Sequence, residues 1–230
     1  MYGARFPDDG VRVVSNSNVL KKIESKLNIG ISSTGILVIG NNNFITECST
    51  LMNQLNGIDI SLGQNNCILK CECNKNNNYG YSIIGTNTNN KLLLNTASEN
   101  SNDGFFINSS PNTIFQNISN QNKTRGILVG AVADDNNIVK NLICNNSSSG
   151  IEIVNGSFRN AIDSNTVRNN GTDMTDAGIL VNSGVANNTI RFNRARNNVI
   201  FDIEAIPPAN FANTFDGNKC GNSDPPGLCI

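Results

Sequence analysis

This chain of 230 residues contains no histidine. Acid–base chemistry would therefore fall to carboxylates, thiols, phenols, lysines and arginines. A Ser-His-Asp triad, a Cys-His dyad and an imidazole metal site are excluded. Glu152 and Asp202 are the strongest pair of candidate acids. On the repeat described below they take the same outward place two repeats apart, with Leu180 between them. Two repeats separate backbones by roughly 10 Å. The carboxyl groups of an inverting glycoside hydrolase stand about 6.5–9.5 Å apart. Asp173 and Asp176 lie in a loop, Asn170-Gly-Thr-Asp-Met-Thr-Asp176, expected to border the same face. Joined to Glu152 and Asp202, they would form an acidic pocket suited to Ca²⁺, a hard ion that takes several oxygens. A further acid pair, Asp134-Asp135, has no evident partner in the sequence.

The elements that would position these residues come from a repeat. A tetrapeptide of glycine, apolar residue, any residue and Val or Ile recurs as Gly35–Val38, Gly57–Ile60, Gly80–Ile83 and Gly104–Ile107. It continues as Gly126–Val129, Gly150–Ile153 and Gly178–Val181, with a degenerate copy at Gly10–Val13 and a glycine-less copy at Ile200–Ile203. A second signature, Asn-x-apolar-x-x-Asn, follows at Asn90–Asn95, Asn112–Asn117, Asn136–Asn141, Asn160–Asn165, Asn188–Asn193 and Asn213–Asn218. Earlier copies depart from it, at Asn66-Ile68-Cys71 and Asn42-Phe44-Glu47. A small or apolar residue comes five positions after the central apolar one, as at Ala97, Ile143 and Val167. The chain thus holds about nine repeats of three short segments each, too short for helices. No such unit buries its apolar side alone, so the units must stack, each about 4.8 Å above the last.

Stacking aligns equivalent residues. The first strand presents Leu37, Asp59, Ser82, Phe106, Leu128, Glu152, Leu180 and Asp202 outward. Asp59, Phe106, Leu128 and Leu180 would line a groove beside the acids, with Tyr79 at its rim. The second strand presents Ile45, Leu69, Leu93, Phe115 and Val139 outward, then Asp163, Arg191 and Asp216. Five apolar residues in a row, roughly 20 Å long at strand spacing, predict an interface, because a water-facing strand normally alternates apolar with polar. Asn95, Asn117, Asn141, Asn165, Asn193 and Asn218 fall at one bend. Their amides can bond from repeat to repeat, and asparagine tolerates left-handed backbone there.

Seven cysteines complete the inventory. Cys73 falls on a core position and Cys71 on the asparagine-ladder position. Cys48, Cys67 and Cys144 read as outward or edge thiols. A zinc site at Cys67-Cys71-Cys73 lacks a fourth ligand and paired Cys-x-x-Cys spacing. Cys220 and Cys229 bracket a turn-rich tail, and a disulfide between them would close it over the last coil.

This pattern resembles the right-handed parallel β-helix family, meaning the pectate-lyase-like folds and the asparagine-rich proteins called NosD-like. The resemblance covers residues 10–220 and implies an all-β fold of about nine coils. Residues 1–9 would be an N-terminal cap and 221–230 a capping tail, a tail similar to endings in secreted bacterial β-helix proteins. The fold carries lyases, hydrolases, epimerases, spikes and adhesins, so it implies a polysaccharide or surface glycan without choosing the activity. A pectate-lyase-like activity would require Ca²⁺ and an Arg or Lys base. Arg168, Arg194 and Arg196 fall on the third strand or its turn instead. An epimerase-type Asp-Pro-His motif is impossible here.

The function expected is a non-catalytic surface, assembly or carbohydrate-binding module that self-associates through the apolar stripe, with a trimer among the candidate states. The alternatives are a Ca²⁺-dependent lyase or glycoside hydrolase, and a receptor-binding spike fragment. The formal net charge of −1 and 15% charged residues give no phosphate-seeking basic face, so no nucleic-acid partner is expected. No apolar run reaches the roughly 18 residues of a membrane span. Met1–Pro7 shows no secretory signal, and the location expected is extracellular or at a cell or particle surface.

Overall fold

The computed structural model describes residues 8–230, so most of the cap expected over residues 1–9 lies outside the described residues. Among them the chain winds as a right-handed parallel solenoid of about nine turns with three sheets and almost no helix. The first sheet has ten strands, from Val11–Val13 through Ile151–Ile153 to Ser223–Asp224. The second has nine, from Val19–Lys21 to Thr214–Asp216. The third has eight, from Glu24–Lys26 to Arg194–Arg196. Lys21 and Lys26 thus sit in strands of a regular first coil. One helical turn, Ala209–Ala212, interrupts the last coil.

Stacked hydrophobes build the core. Ile36, Ile58, Tyr81, Phe105, Ile127, Ile151, Ile179 and Ile203 pair in register and are buried. Each contributes about 1.5–3 kcal/mol by leaving water. Size is balanced within four successive coils. The coils that place Tyr81 and Phe105 on the first sheet place Ala97 and Ser119 on the third. Those with Ile127 and Ile151 carry the larger Ile143 and Val167. The two aromatic rings stack with centroids 4.7 Å apart, and Tyr81 Oη donates to Cys71 O at 2.7 Å.

Three hydrogen-bonded asparagine ladders hold the bends. At the bend between the second and third sheets, Asn95, Asn117, Asn141, Asn165, Asn193 and Asn218 are buried. The backbone N and Nδ2 of each donate to Oδ1 of the next. Two more ladders run beside it. Asn43, Asn66, Asn90 and Asn112, then Asn136, Asn160, Asn188 and Asn213, mark the entry to the second sheet. Asn28, Asn53, Asn76, Asn100, Asn122, Asn146, Asn170 and Asn198 mark the exit from the third.

Left-handed backbone falls on the residue before the ladder asparagine rather than on the asparagine, except at Asn112 and Asn213, which follow Pro111 and the helical Ala212. Leu94, Gln116, Lys140 and Ser164 have φ of 58, 54, 56 and 56°. Four such different side chains show that the residue type does not choose the bend. The ladder imposes it and offsets a cost of about 1–2 kcal/mol.

Two stretches correct the register read from sequence. Ile45, not Phe44, aligns with the buried Ile68, and Thr46 aligns with Leu69. Ile45 is therefore core, fully buried, and leaves the outward stripe. The consecutive Asn41, Asn42 and Asn43 allow a one-residue slip, which exchanges the two faces of a strand. The same slip moves Cys48 into the central ladder, where its backbone N donates to Cys71 Sγ at 3.3 Å and Cys71 N to Asn95 Oδ1 at 2.9 Å. Cys48 is therefore buried in the ladder rather than outward, while Cys144 keeps its outward place, in register with Asn120 and Arg168, and is nonetheless buried.

At the other end Ile203 pairs with Ile179, Glu204 with Leu180 and Ala205 with Val181. Asp202 thus takes the glycine position and Glu204 the outward one. Cys220 and Cys229 form a disulfide across the tail.

Candidate functional site

The outer face of the first sheet gathers the polar and aromatic groups that the repeat leaves free. Phe106 and Leu128 are half-buried on the central outward row, and Leu180 is almost closed off at 6% exposure. The residue before each glycine forms a second row beside it, which supplies Tyr79, Asp103 and Arg125. The Tyr79 and Phe106 rings stand 4.8 Å apart with their planes tilted by 33°. Arg125 lies between two carboxylates. Its Nη1 is 3.4 Å from Asp103 Oδ1, and its Nε donates to Glu152 Oε2. Glu152 Oε1 accepts from Asn182 Nδ2 at 2.7 Å. Thr124 Oγ1 and the Arg125 backbone N also donate to Asp103 Oδ1.

Two acids here are deeply buried. Asp59 is 7% exposed and Asp103 1% exposed. Burial raises both carboxyls above the usual range, against the hydrogen bonds that lower them from Ser61 for Asp59 and Thr124 for Asp103. Burial, with Asp103 nearby, also raises the Tyr79 phenol. One oxygen of each acid, Asp59 Oδ1 and Asp103 Oδ2, has no hydrogen-bond partner.

A carboxyl held more protonated in the fold than in the unfolded chain costs stability as pH rises above the unfolded value, about 3.9. Asp59→Asn should therefore melt at higher urea than wild type at about pH 7, with the gap closing toward about pH 3. Equal midpoints at both pH values would show that Asp59 ionises freely.

The structure does not assemble the acid pocket read from sequence. Asp202, 3% exposed, accepts from Asn198 N, Asn198 Nδ2 and Gly221 N, so its carboxylate closes a bend instead of facing the groove. Asp176 accepts from Thr172 N, Asp173 N and Ser148 Oγ and thereby organises its own loop, while Asp173 stays exposed. Among the described residues no three His, Cys, Asp or Glu side chains gather as a metal group. Arg168, Arg194 and Arg196 face outward from the third sheet. Asp134 and Asp135 do have a partner, since Arg159 one coil on binds both.

Asp103 and Arg125 were missed because only the strand's own outward residue was followed. Their constant place before the repeat glycine was the available signal. On the second sheet Leu69, Leu93, Phe115 and Val139 align in register and are half-buried. Lys140 lies over the Phe115 ring at 5.9 Å, and Arg191 Nε donates to Asp163 Oδ2 at 2.8 Å.

The family model described as the right handed beta helix region matches residues 2–143, more than half of the chain. The chain belongs to this β-helix family. Solved structures share the fold. The A-module of Azotobacter vinelandii mannuronan C-5 epimerase AlgE6 superposes on 89% of this β-helix chain with a TM-score of 0.78 at 15% identity. The AlgE4 A-module of the same organism covers 93% with a TM-score of 0.70 at 12% identity. The Dettilon tailspike protein covers 93% with a TM-score of 0.66 at 17% identity. This β-helix spans 62%, 77% and 54% of those chains respectively. A search of curated proteins returns no match. No helix among the described residues is long and apolar enough to cross a membrane.

Proposed function

We propose that this β-helix binds a carbohydrate chain along the outer face of its first sheet without cleaving it. The observation that carries the reading is the Tyr79–Phe106 ring pair, set at the surface next to Arg125, Asp103 and Glu152. Aromatic faces pack against the C–H faces of sugars, and flanking charged groups bond to their hydroxyls. The names of the structural neighbours, two epimerases of mannuronan and a tailspike, agree with a glycan ligand. A binding role is favoured over turnover because both Glu152 oxygens are engaged and Asp202 is turned to a bend. The disulfide of the tail fits an oxidising, extracellular or surface setting.

Calorimetric titration with an oligosaccharide panel tests the reading. Phe106→Ala should weaken binding about tenfold, roughly 1.4 kcal/mol, while the β-sheet circular dichroism stays unchanged. Undiminished binding would move the site off this face. Polysaccharide shortening, or an ultraviolet signal of unsaturated uronate, with or without Ca²⁺, would replace the binding reading with the enzyme one.

The register of the second sheet favours self-association as part of this function. Leu69, Leu93, Phe115 and Val139 form a continuous apolar row, bounded by Thr46 and Asp163. Covering that row with a second copy would remove it from water. Leu93→Lys combined with Phe115→Lys should convert the oligomer to monomer in light scattering with circular dichroism retained. An unchanged mass would place the interface elsewhere.

A further inference from the structure

Resting on the glycan-binding reading of the first sheet, we infer that its ligand is a glycan rich in hydrogen-bond donors and free of carboxylates, either neutral or amino-bearing, rather than a polyuronate. The inference begins with charge. The central outward row carries Arg12, Asp59, Glu152, Glu204 and Asp224, and the row before the glycines carries Asp9, Asp103 and Arg125. Among the described residues of these two rows, six carboxylates therefore meet two arginines.

Neither arginine is free. Arg12 lies 3.8 Å from Asp9, and Arg125 is held by Asp103 and Glu152 together. An anionic sugar reaching Arg125 would have to displace one of those carboxylates and then stand beside it. Like charges at such a spacing repel, and the cost grows where water is excluded.

The second observation is independent of net charge. Asp59 and Asp103, each more than nine-tenths buried, keep one carboxylate oxygen without a donor. Asp59 occupies an outward position, in register with Leu37 and Ser82, and Asn56, Ser61 and Ser82 lie beside it. An orphan buried acceptor is costly until a donor arrives. Hydroxyl and ammonium groups donate, whereas a carboxylate brings only acceptors. Asp59 and Phe106 are two coils apart, roughly 10 Å along the rod by strand spacing, with Tyr79 and Ser82 on the coil between. Sugar units could thus lie on the rings while a neighbouring unit donates to Asp59.

The test compares four probes on the whole chain at low ionic strength: cello-oligosaccharides, chitosan oligosaccharides, oligogalacturonate and oligoalginate. The neutral or the amino-bearing probes should bind at least about tenfold tighter than either uronate. A preference for chitosan would assign the donor as ammonium, and parity with cello-oligosaccharide would assign it as hydroxyl. Uronate binding that equals or exceeds the others overturns the inference while leaving the glycan face intact. Absence of binding to all four, with Phe106→Ala also silent, overturns the face and the inference together. Asp59→Asn should weaken the preferred probe about fivefold to tenfold without a fall in urea midpoint at neutral pH. Unweakened binding by this folded variant would remove Asp59 from the ligand.

Discussion

Asn141→Ala should cost about 3 kcal/mol of unfolding free energy, read as a shift of the urea midpoint by far-ultraviolet circular dichroism. Asn141 Oδ1 accepts from Asn117 N at 2.8 Å and Asn117 Nδ2 at 3.0 Å. Its Nδ2 donates to Ile114 O and to Asn165 Oδ1, each at 3.0 Å. Truncation removes four hydrogen bonds in a bend that water does not reach. Asn117 Nδ2 keeps Leu92 O and Asn165 Oδ1 keeps Asn141 N, whereas Asn117 N loses its ladder acceptor. Each buried orphan is worth about 1–3 kcal/mol, partly recovered by local relaxation. The exposed Asn137, on the strand of the same coil, provides the control. Asn137→Ala should shift stability by no more than about 0.5 kcal/mol. If Asn141→Ala and Asn165→Ala both fell within that margin, the ladder would be geometry without energetic weight.

Gly126→Ala should be comparably damaging, by about 3 kcal/mol, the upper range for overpacking. A methyl there would lie 2.2 Å from Ile143 Cγ2 and 2.6 Å from the carbonyl oxygen of Gly150. The side chain could turn, but the carbonyl cannot withdraw. Gly150 O already accepts from Ile127 N at 2.9 Å, a bond that sets the spacing of the coils. The same crowding accounts for the repeat glycine at Gly35, Gly57, Gly80, Gly104 and Gly150, where a methyl meets a carbonyl of the following coil at 2.6–2.8 Å. At Asp202, where the glycine is lost, the equivalent carbonyl, Asn222 O, stands farther off, accepting from Ile203 N at 3.4 Å. A variant within about 1 kcal/mol of wild type would mean that the coils part more easily than their bonding implies.

The fold was legible because its signals are local and repeated. The glycine tetrapeptide and the Asn-x-apolar-x-x-Asn signature report burial through spacing alone, and stacking turns each into a row. Two of the three ladders escaped notice although their residues were in view. Asn90, Asn112, Asn136 and Asn160 were read only as the start of a signature. Asn100, Asn122, Asn146 and Asn170 stand at a constant three residues after the third core position, a signal of which only Asn170 enters the sequence reading, as the start of a loop.

The errors arose where the local pattern is degenerate. Three consecutive asparagines allowed Phe44 to stand in for Ile45. At Ile200–Ile203 the missing glycine displaced the row by two and put Asp202 where Glu204 belongs. The candidate site was the least legible part. Arg125 meets acids 22 and 27 residues away in the chain, a contact that exists only once the coils are stacked.

The ladders also give the rod a direction. Along each ladder the asparagine Oδ1 accepts from the coil before it, and the backbone N and Nδ2 bond forward to the next Oδ1. Most Nδ2 groups also donate back to a carbonyl of the preceding coil, and one break falls between Asn112 and Asn136. The amide dipoles therefore add head to tail, as peptide dipoles do in an α-helix. The forward end must gather partial positive charge, and each ladder finishes there on an acceptor. Asn213 Nδ2 donates to Ala209 O, Asn218 Nδ2 to Leu228 O, and Asn198 Nδ2 to the Asp202 carboxylate. Asp202 thus stands to the third ladder as an acidic N-cap stands to a helix, a full negative charge set against the positive pole of a stack of amides.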